Sequence, residues 1–256
     1  MSATLEQLAA TEHLLVALDF DGTLSPLVDV PMEARMTAEA RAAVDALVAT
    51  PDTTVALVSG RSLHDLREIA EHTDASAIML AGSHGAEFWL PGTGRQASAE
   101  DADDVRLRDE LRAEAERLVA PFDGAWIEPK TFGFGVPTRT VAPEHEARVH
   151  ELVAALVAER APHWRRRAGH HITEYAFRSE GKDTAVAHLR ERTGATAVLF
   201  AGDDVTDEDA ITSLGAGDLG IRVGGGTSAA ALHLDGIEEL ATSLSRLAAL
   251  RAAARE

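Results

Sequence analysis

No cysteine occurs among the 256 residues, which removes disulfides, thiolate metal ligands and cysteine nucleophiles from consideration. Any metal must be held by oxygen or imidazole. Cations are scarce as well: 24 Lys and Arg stand against 42 Asp and Glu, for a net charge of −18 with His neutral. Nucleic acid or an anionic membrane surface would repel such a chain unless a large basic patch compensated. The nearest thing to one is Arg165–Arg167. No apolar run approaches the ~20 residues that span a bilayer. Met1–Thr11 carries Glu6 and has neither the basic start nor the apolar stretch of a secretory leader. The expectation is a cytoplasmic monomer with no nucleic-acid or membrane partner.

What the chain does contain is an ordinary globular balance, 45% apolar and 26% charged, sufficient for one large α/β domain or a smaller one carrying an insertion. Short Val/Leu/Ile-rich runs alternate with helical stretches, the pattern of βαβ units and a mainly parallel sheet. The runs are 13–20, 53–58, 77–80, 195–201 and 219–223. Leu14–Leu18 is continuously apolar, as expected of a strand with helices on both faces. Asp19, Ser59-Gly60, Gly82-Ser83 and Gly202-Asp203 end four of these runs. Ligands of open α/β sheets bind outside the carboxyl ends of the strands, so these endings converge on one candidate site.

The middle of the chain reads differently. Residues 99–117 are acidic and helical in pattern, with Asp104 and Arg108 spaced to pair across one turn. Strand candidates follow at 125–128 and 132–136, then a helix over 143–160 with Val149, Leu152, Val153, Leu156 and Val157 on one stripe. Another strand is expected at about 171–175, after the Arg165–Arg167 run. This divides the chain into a core, 1–104 with 178–256, and an inserted α+β unit, 105–177. A last helix from Gly236 to Arg251 repeats Ile237, Leu240, Leu244, Leu247 and Leu250 at helical spacing.

The chemistry lies at the strand ends. In Asp19-Phe20-Asp21-Gly22-Thr23-Leu24 the two aspartates point the same way on an extended chain. One carboxylate can attack phosphorus while the other handles the leaving-group proton. Gly202–Asp209 supplies five carboxylates in seven residues from Asp203, whose mutual repulsion a divalent cation relieves; an acidic N-cap for the following helix is the alternative. Oxygen ligands favour Mg²⁺ over zinc. Ser59-Gly60-Arg61 and Lys182 together offer a hydroxyl, a backbone N–H and an ammonium for the spread charge of a phosphoryl group. Of the eleven histidines, His84 alone falls near the site. Gly215–Gly220 matches G-x-G-x-x-G but precedes a strand, and Gly181-Lys182-Asp183 lacks both the upstream glycine and the hydroxyl residue of a P-loop.

In this order, D-x-D-x-T at 19–23, Ser59, Lys182 and Asp203-Asp204 resemble the four motifs of the haloacid-dehalogenase-like phosphatases. DFDGTLSPL, VSGR, GSHGAE at 82–87, E-x-K at 128–130, Arg139, Glu174 and GDDVTDED resemble the trehalose-6-phosphate phosphatase family, and the likeness runs from about 14 to 235. It implies a Rossmann-like core with an inserted α+β cap. Asp19 would be the nucleophile and Asp21 the acid/base, with Ser59, Gly60 and Lys182 on phosphate. Mg²⁺ would sit on Asp19, the Asp21 carbonyl and Asp203, supported by Asp207. Glu128, Lys130, Arg139 and Glu174 would contact the sugar, with Arg61 and His84 also in the substrate set. The pattern departs at Pro137-Thr138 and around Phe177, so a sugar or cyclitol phosphate shaped like trehalose 6-phosphate stays open as the substrate.

Overall fold

Leu14–Leu18 is fully buried along its whole length, because it runs through the centre of a sheet covered on both faces. The computed structural model describes residues 2–97, 102–169 and 171–255. The chain divides into two compact units, Met1–Ala97 with Glu180–Glu256, and Ser98–Ser179.

In chain order, the first unit begins with α1 (Leu5–Ala10), β1 (Leu14–Leu18), α2 (Ala38–Val48), β2 (Thr53–Val58), α3 (Leu63–Ile69), β3 (Met79–Gly82), β4 (Glu87–Leu90) and β5 (Gly94–Ala97). The second unit holds α4 (Ala102–Val119), β6 (Glu128–Lys130), β7 (Gly133–Pro137), α5 (Pro143–Arg160), β8 (Arg165–Gly169) and β9 (Ile172–Ala176). The first unit resumes with α6 (Lys182–Thr193), β10 (Ala197–Gly202), α7 (Glu208–Ser213), β11 (Leu219–Val223), β12 (Leu232–Leu234) and α8 (Ile237–Ala253). Helix starts follow their local chemistry. The side chains of Thr4, Thr37 and Ser62 accept the N–H of the third residue of α1, α2 and α3, and Pro143 opens α5.

The large sheet has the order β12-β11-β10-β1-β2-β3-β4-β5. It is parallel from β12 to β3 and antiparallel at β3–β4 and β4–β5. This is the α/β, Rossmann-like arrangement that the runs imply. Leu14, Val16 and Leu18 point into a core with α2 and α8, and Leu15 and Ala17 into one with α6 and α7. Burying such leucines contributes ~1.5–3 kcal/mol each.

The second unit is a four-stranded antiparallel sheet, β6-β7-β9-β8. One face carries Phe134, Val136 and Tyr175 against Leu111, Ala115 and Val119 of α4 and Val149, Val153 and Val157 of α5. Leu152 and Leu156, expected on the same stripe, are half-buried at its margin. The junction expected after residue 104 falls inside α4, which lies wholly within this unit. Asp104 and Arg108 do not form the expected pair. Arg108 donates to Asp109 at 3.0 Å and to the Thr131 carbonyl, because it faces the β6–β7 turn. Ala99 and His170 lie outside the described residues.

Candidate active site

β10, β1, β2 and β3 are consecutive neighbours in the sheet, so their carboxyl ends deliver Asp203, Asp19, Ser59 and Ser83 to one edge. The backbone knits these ends together. Asp19 N–H donates to Ala201 O at 2.9 Å and Ser59 N–H to Ala81 O at 2.9 Å.

Asp19 is 5% exposed, and its Oδ1 lies 2.6 Å from Lys182 Nζ. The same ammonium donates to Asp207 Oδ1 at 2.6 Å. Lys182 occupies the first turn of α6 and is itself buried, so the helix start fixes where the charge sits. Asp207 is fully buried and also accepts the Asp204 N–H at 2.9 Å, which folds the acidic loop back on itself. Thr23 Oγ1 reaches Asp19 Oδ2 at 3.5 Å and Asp203 Oδ1 at 3.4 Å. Gly22 has φ +77°, and a Cβ there would lie 2.0 Å from Asp203 Oδ2. Only glycine therefore lets the β1 turn approach that carboxylate so closely.

One carboxylate oxygen each from Asp19, Asp203 and Asp207 falls within 4.8 Å of the others. Three carboxylates share this space with the single ammonium of Lys182. Burial pushes the Asp19 carboxyl well above its ordinary value; Lys182 opposes this, while Asp207 and Asp203 add to it. Burial, reinforced by Asp207, raises Asp203 to about 6. Burial alone would lower the Lys182 pKa, but Asp19 and Asp207 outweigh it and hold the ammonium above its usual range. The charges are under-neutralised, and a hard divalent cation on these oxygens fits that deficit.

Asp21 is held differently. Arg61 grips its carboxylate with two bonds, Nε to Oδ2 and Nη2 to Oδ1, both 2.6 Å. Arg61, expected among the substrate contacts, is thus engaged by Asp21. Its backbone N–H donates to Ser59 Oγ at 3.1 Å, leaving the buried hydroxyl its own proton to donate. His84 packs against Gly60, where a Cβ would lie 2.6 Å from the imidazole Nε2, and its N–H donates to Ser59 O at 2.9 Å.

Glu87 escaped the sequence reading as an individual residue. Buried at the start of β4, it accepts the Leu63 N–H at 3.1 Å, the Ser83 hydroxyl at 2.9 Å and Arg95 at 2.9 Å. It ties the Ser59–Ser62 turn to the Ser83–Ala86 turn. Arg222 was missed too; it donates to Asp204 O at 2.9 Å and steadies the acidic loop from β11. Neither has a local signal beyond its place in or near a motif.

In the second unit Lys130 Nζ lies 3.3 Å from Glu128 and 3.1 Å from Glu174. Burial works against the ammonium, yet Glu174 and Glu128 keep its pKa above the usual value. Arg139 is exposed in the turn after β7, while the neighbouring Thr138 is buried and donates to Glu146 at 2.7 Å.

A family model for trehalose-phosphatase matches residues 17–228. The trehalose-phosphate phosphatase of Mycolicibacterium paratuberculosis is 35% identical over 225 residues, covering 82% of this chain and 54% of that protein. The probable trehalose-phosphate phosphatase 2 of Oryza sativa is 30% identical over 242 residues, 84% of this chain and 62% of that one. The chain therefore spans little more than half the length of these relatives. Among solved structures, the C-terminal domain of Candida albicans trehalose-6-phosphate phosphatase superposes with a TM-score of 0.80 at 20% identity, over 96% of this chain and 95% of that domain. A haloacid dehalogenase-like hydrolase from B. subtilis superposes at 0.61 and 16% identity, over 90% and 97%. At such identities the likeness concerns the fold.

Proposed function

This chain belongs to the trehalose-phosphatase family, and we propose that it is a Mg²⁺-dependent phosphatase that hydrolyses trehalose 6-phosphate through an aspartyl-phosphate on Asp19. The observation that carries the reading is the buried Lys182 ammonium bridging Asp19 and Asp207 at 2.6 Å each. A structural salt bridge would need no second and third carboxylate crowded onto the same oxygens.

Asp19 Oδ2, the oxygen not held by Lys182, attacks phosphorus. The P–O bond to the sugar breaks and Asp21 protonates the leaving hydroxyl; Asp21 then takes a proton from the water that cleaves the acyl phosphate. Ser59, the Gly60 N–H and Lys182 hold the phosphoryl oxygens. Asp19, the Asp21 carbonyl and Asp203 would hold Mg²⁺, with Asp207 behind them. When bound, the ion neutralises charge between carboxylate and phosphate. Glu128, Lys130, Arg139 and Glu174 recognise sugar hydroxyls. In this reading the first unit performs the chemistry and the second supplies recognition. A cytoplasmic monomer is proposed with it, consistent with a net charge of −18 that keeps copies apart.

Asp19→Asn keeps the shape and removes the attacking oxygen. Phosphate release from trehalose 6-phosphate should collapse while the melting temperature holds, and a chelator should silence the parent until Mg²⁺ is restored. Full turnover by purified Asp19→Asn, or by the parent in chelator, would reject the mechanism. Phosphate release from a panel of sugar and cyclitol phosphates identifies the substrate.

A further inference from the structure

The register of the small sheet aligns a row of residues that no motif joins. Glu128 on β6 pairs with Gly135 on β7, Gly135 with Glu174 on β9, and Glu174 with Arg167 on β8. Directly opposed residues share a face, with Cβ atoms ~4.5–5.5 Å apart. Glu128, Glu174 and Arg167 therefore stand on the face opposite Phe134 and Tyr175, and Lys130, two residues along from Glu128, joins them. Gly133 and Gly135 carry no side chain, so the row has a low floor between β6 and β9.

We propose that Arg167 is a positioning residue for substrate recognition: it lies beside Glu174 across the β8–β9 ladder and holds that carboxylate for sugar hydroxyls. The proposal rests on the reading that Glu128, Lys130 and Glu174 contact the sugar. Three features point to Arg167 specifically. It is 8% exposed although β8 is an edge strand, and a guanidinium is seldom buried without an anionic neighbour. Glu174 is the residue directly opposite. Its flanking arginines are committed elsewhere, Arg165 donating to Ser179 O at 2.6 Å and Arg166 sharing the other face with Tyr175.

Charge gives the row its logic. The register also sets Arg165 on this face, in line with Ala176, Gly133 and Lys130, so Lys130, Arg165 and Arg167 together outweigh Glu128 and Glu174 and the face suits an anionic sugar phosphate. A guanidinium can also hold both oxygens of one carboxylate, which a single ammonium does not.

The test compares Arg167→Met, Arg167→Lys and Glu174→Ala on trehalose 6-phosphate and p-nitrophenyl phosphate, with folding checked by thermal melting. Arg167→Met should lower kcat/KM for the disaccharide phosphate by about tenfold or more, chiefly through KM, and leave the aryl phosphate within about twofold. Inhibition by trehalose should weaken in parallel, with inhibition by inorganic phosphate unchanged. Arg167→Lys, which keeps charge and stem, should lose less on the disaccharide phosphate alone, and it decides the matter if Arg167→Met does not fold. A folded Arg167 variant with parental disaccharide turnover, beside an impaired Glu174→Ala, overturns the proposal and leaves the recognition reading standing. Equal losses on both substrates overturn it as well, by making Arg167 a structural arginine. Parental turnover by Glu174→Ala would remove the recognition reading and the proposal together.

Discussion

Asp21, the acid/base of the proposed mechanism, meets an arginine at its carboxylate. Arg61 occupies both of its oxygens, Nε on Oδ2 and Nη2 on Oδ1, at 2.6 Å each. In that mechanism Arg61 yields some of its grip when a phosphoryl group arrives, whose oxygens are themselves a match for its fork. Arg61→Lys preserves charge and loses the paired geometry. It should lower kcat/KM by about tenfold on both trehalose 6-phosphate and an aryl phosphate, because the proposed mechanism places its partner in the chemistry and not in sugar recognition. Steady-state assays on the two substrates check this, and a loss confined to the sugar phosphate would return Arg61 to the substrate contacts. Nothing in the sequence around Arg61 announces Asp21 as its partner, since forty residues separate them. Motif spacing identified both residues and left their pairing to the fold. Glu87 was hidden for the same reason: its hydrogen bonds run to Leu63, Ser83 and Arg95, which only the packed turns bring together.

Among secondary-structure elements, β2, β11 and α5 fall where the apolar runs and the Pro143 start placed them, and the parallel order follows from strands that are apolar throughout. β8 was not legible because three consecutive arginines lack the apolar alternation of a strand, while edge strands commonly carry such charges. The β4–β5 hairpin was missed because Glu-Phe-Trp-Leu is short and begins with a buried acid. α8 shows how much an element can do beyond apolar packing. Its fully buried Arg251 donates to the carbonyls of Leu8 at 2.8 Å, Thr11 at 3.1 Å and Asp52 at 2.7 Å, and to Thr53 Oγ1 at 2.8 Å. Burial and the neighbouring Arg255 push its pKa down to about 10. Arg251→Met would keep much of the volume and orphan these acceptors. Each such group costs ~1–3 kcal/mol, partly relieved by water; a loss of about 2–4 kcal/mol in urea unfolding is expected, with kcat intact at low temperature.

Across the molecule, protonation links the two units to one variable. His72 in the first and His150 in the second are both lowered chiefly by burial, against an ordinary value of 6.5, and each has a buried Nδ1 with no hydrogen-bond partner. The unfolded chain takes these protons more readily, so their contribution is complete above about pH 6.5 and declines as pH falls through the folded values. The melting temperature of the parent should therefore drop relative to a His72→Asn/His150→Asn double variant between pH 7.5 and 5.5; parallel curves would show that neither imidazole is linked to folding.

The insertion also sets a timetable. β1 pairs with β2 on one side and with β10 on the other, and β10 begins only at Ala197. At ~5–20 residues per second, a ribosome delivers β10 on the order of ten to tens of seconds after β1. During that interval one flank of an apolar strand stands open, the condition that invites mispairing. The Ser98–Ser179 unit is contiguous and has its own core, so it can complete while its host waits. Asp19 and Asp203 then come together among the last events of folding, when β10 closes the gap beside β1.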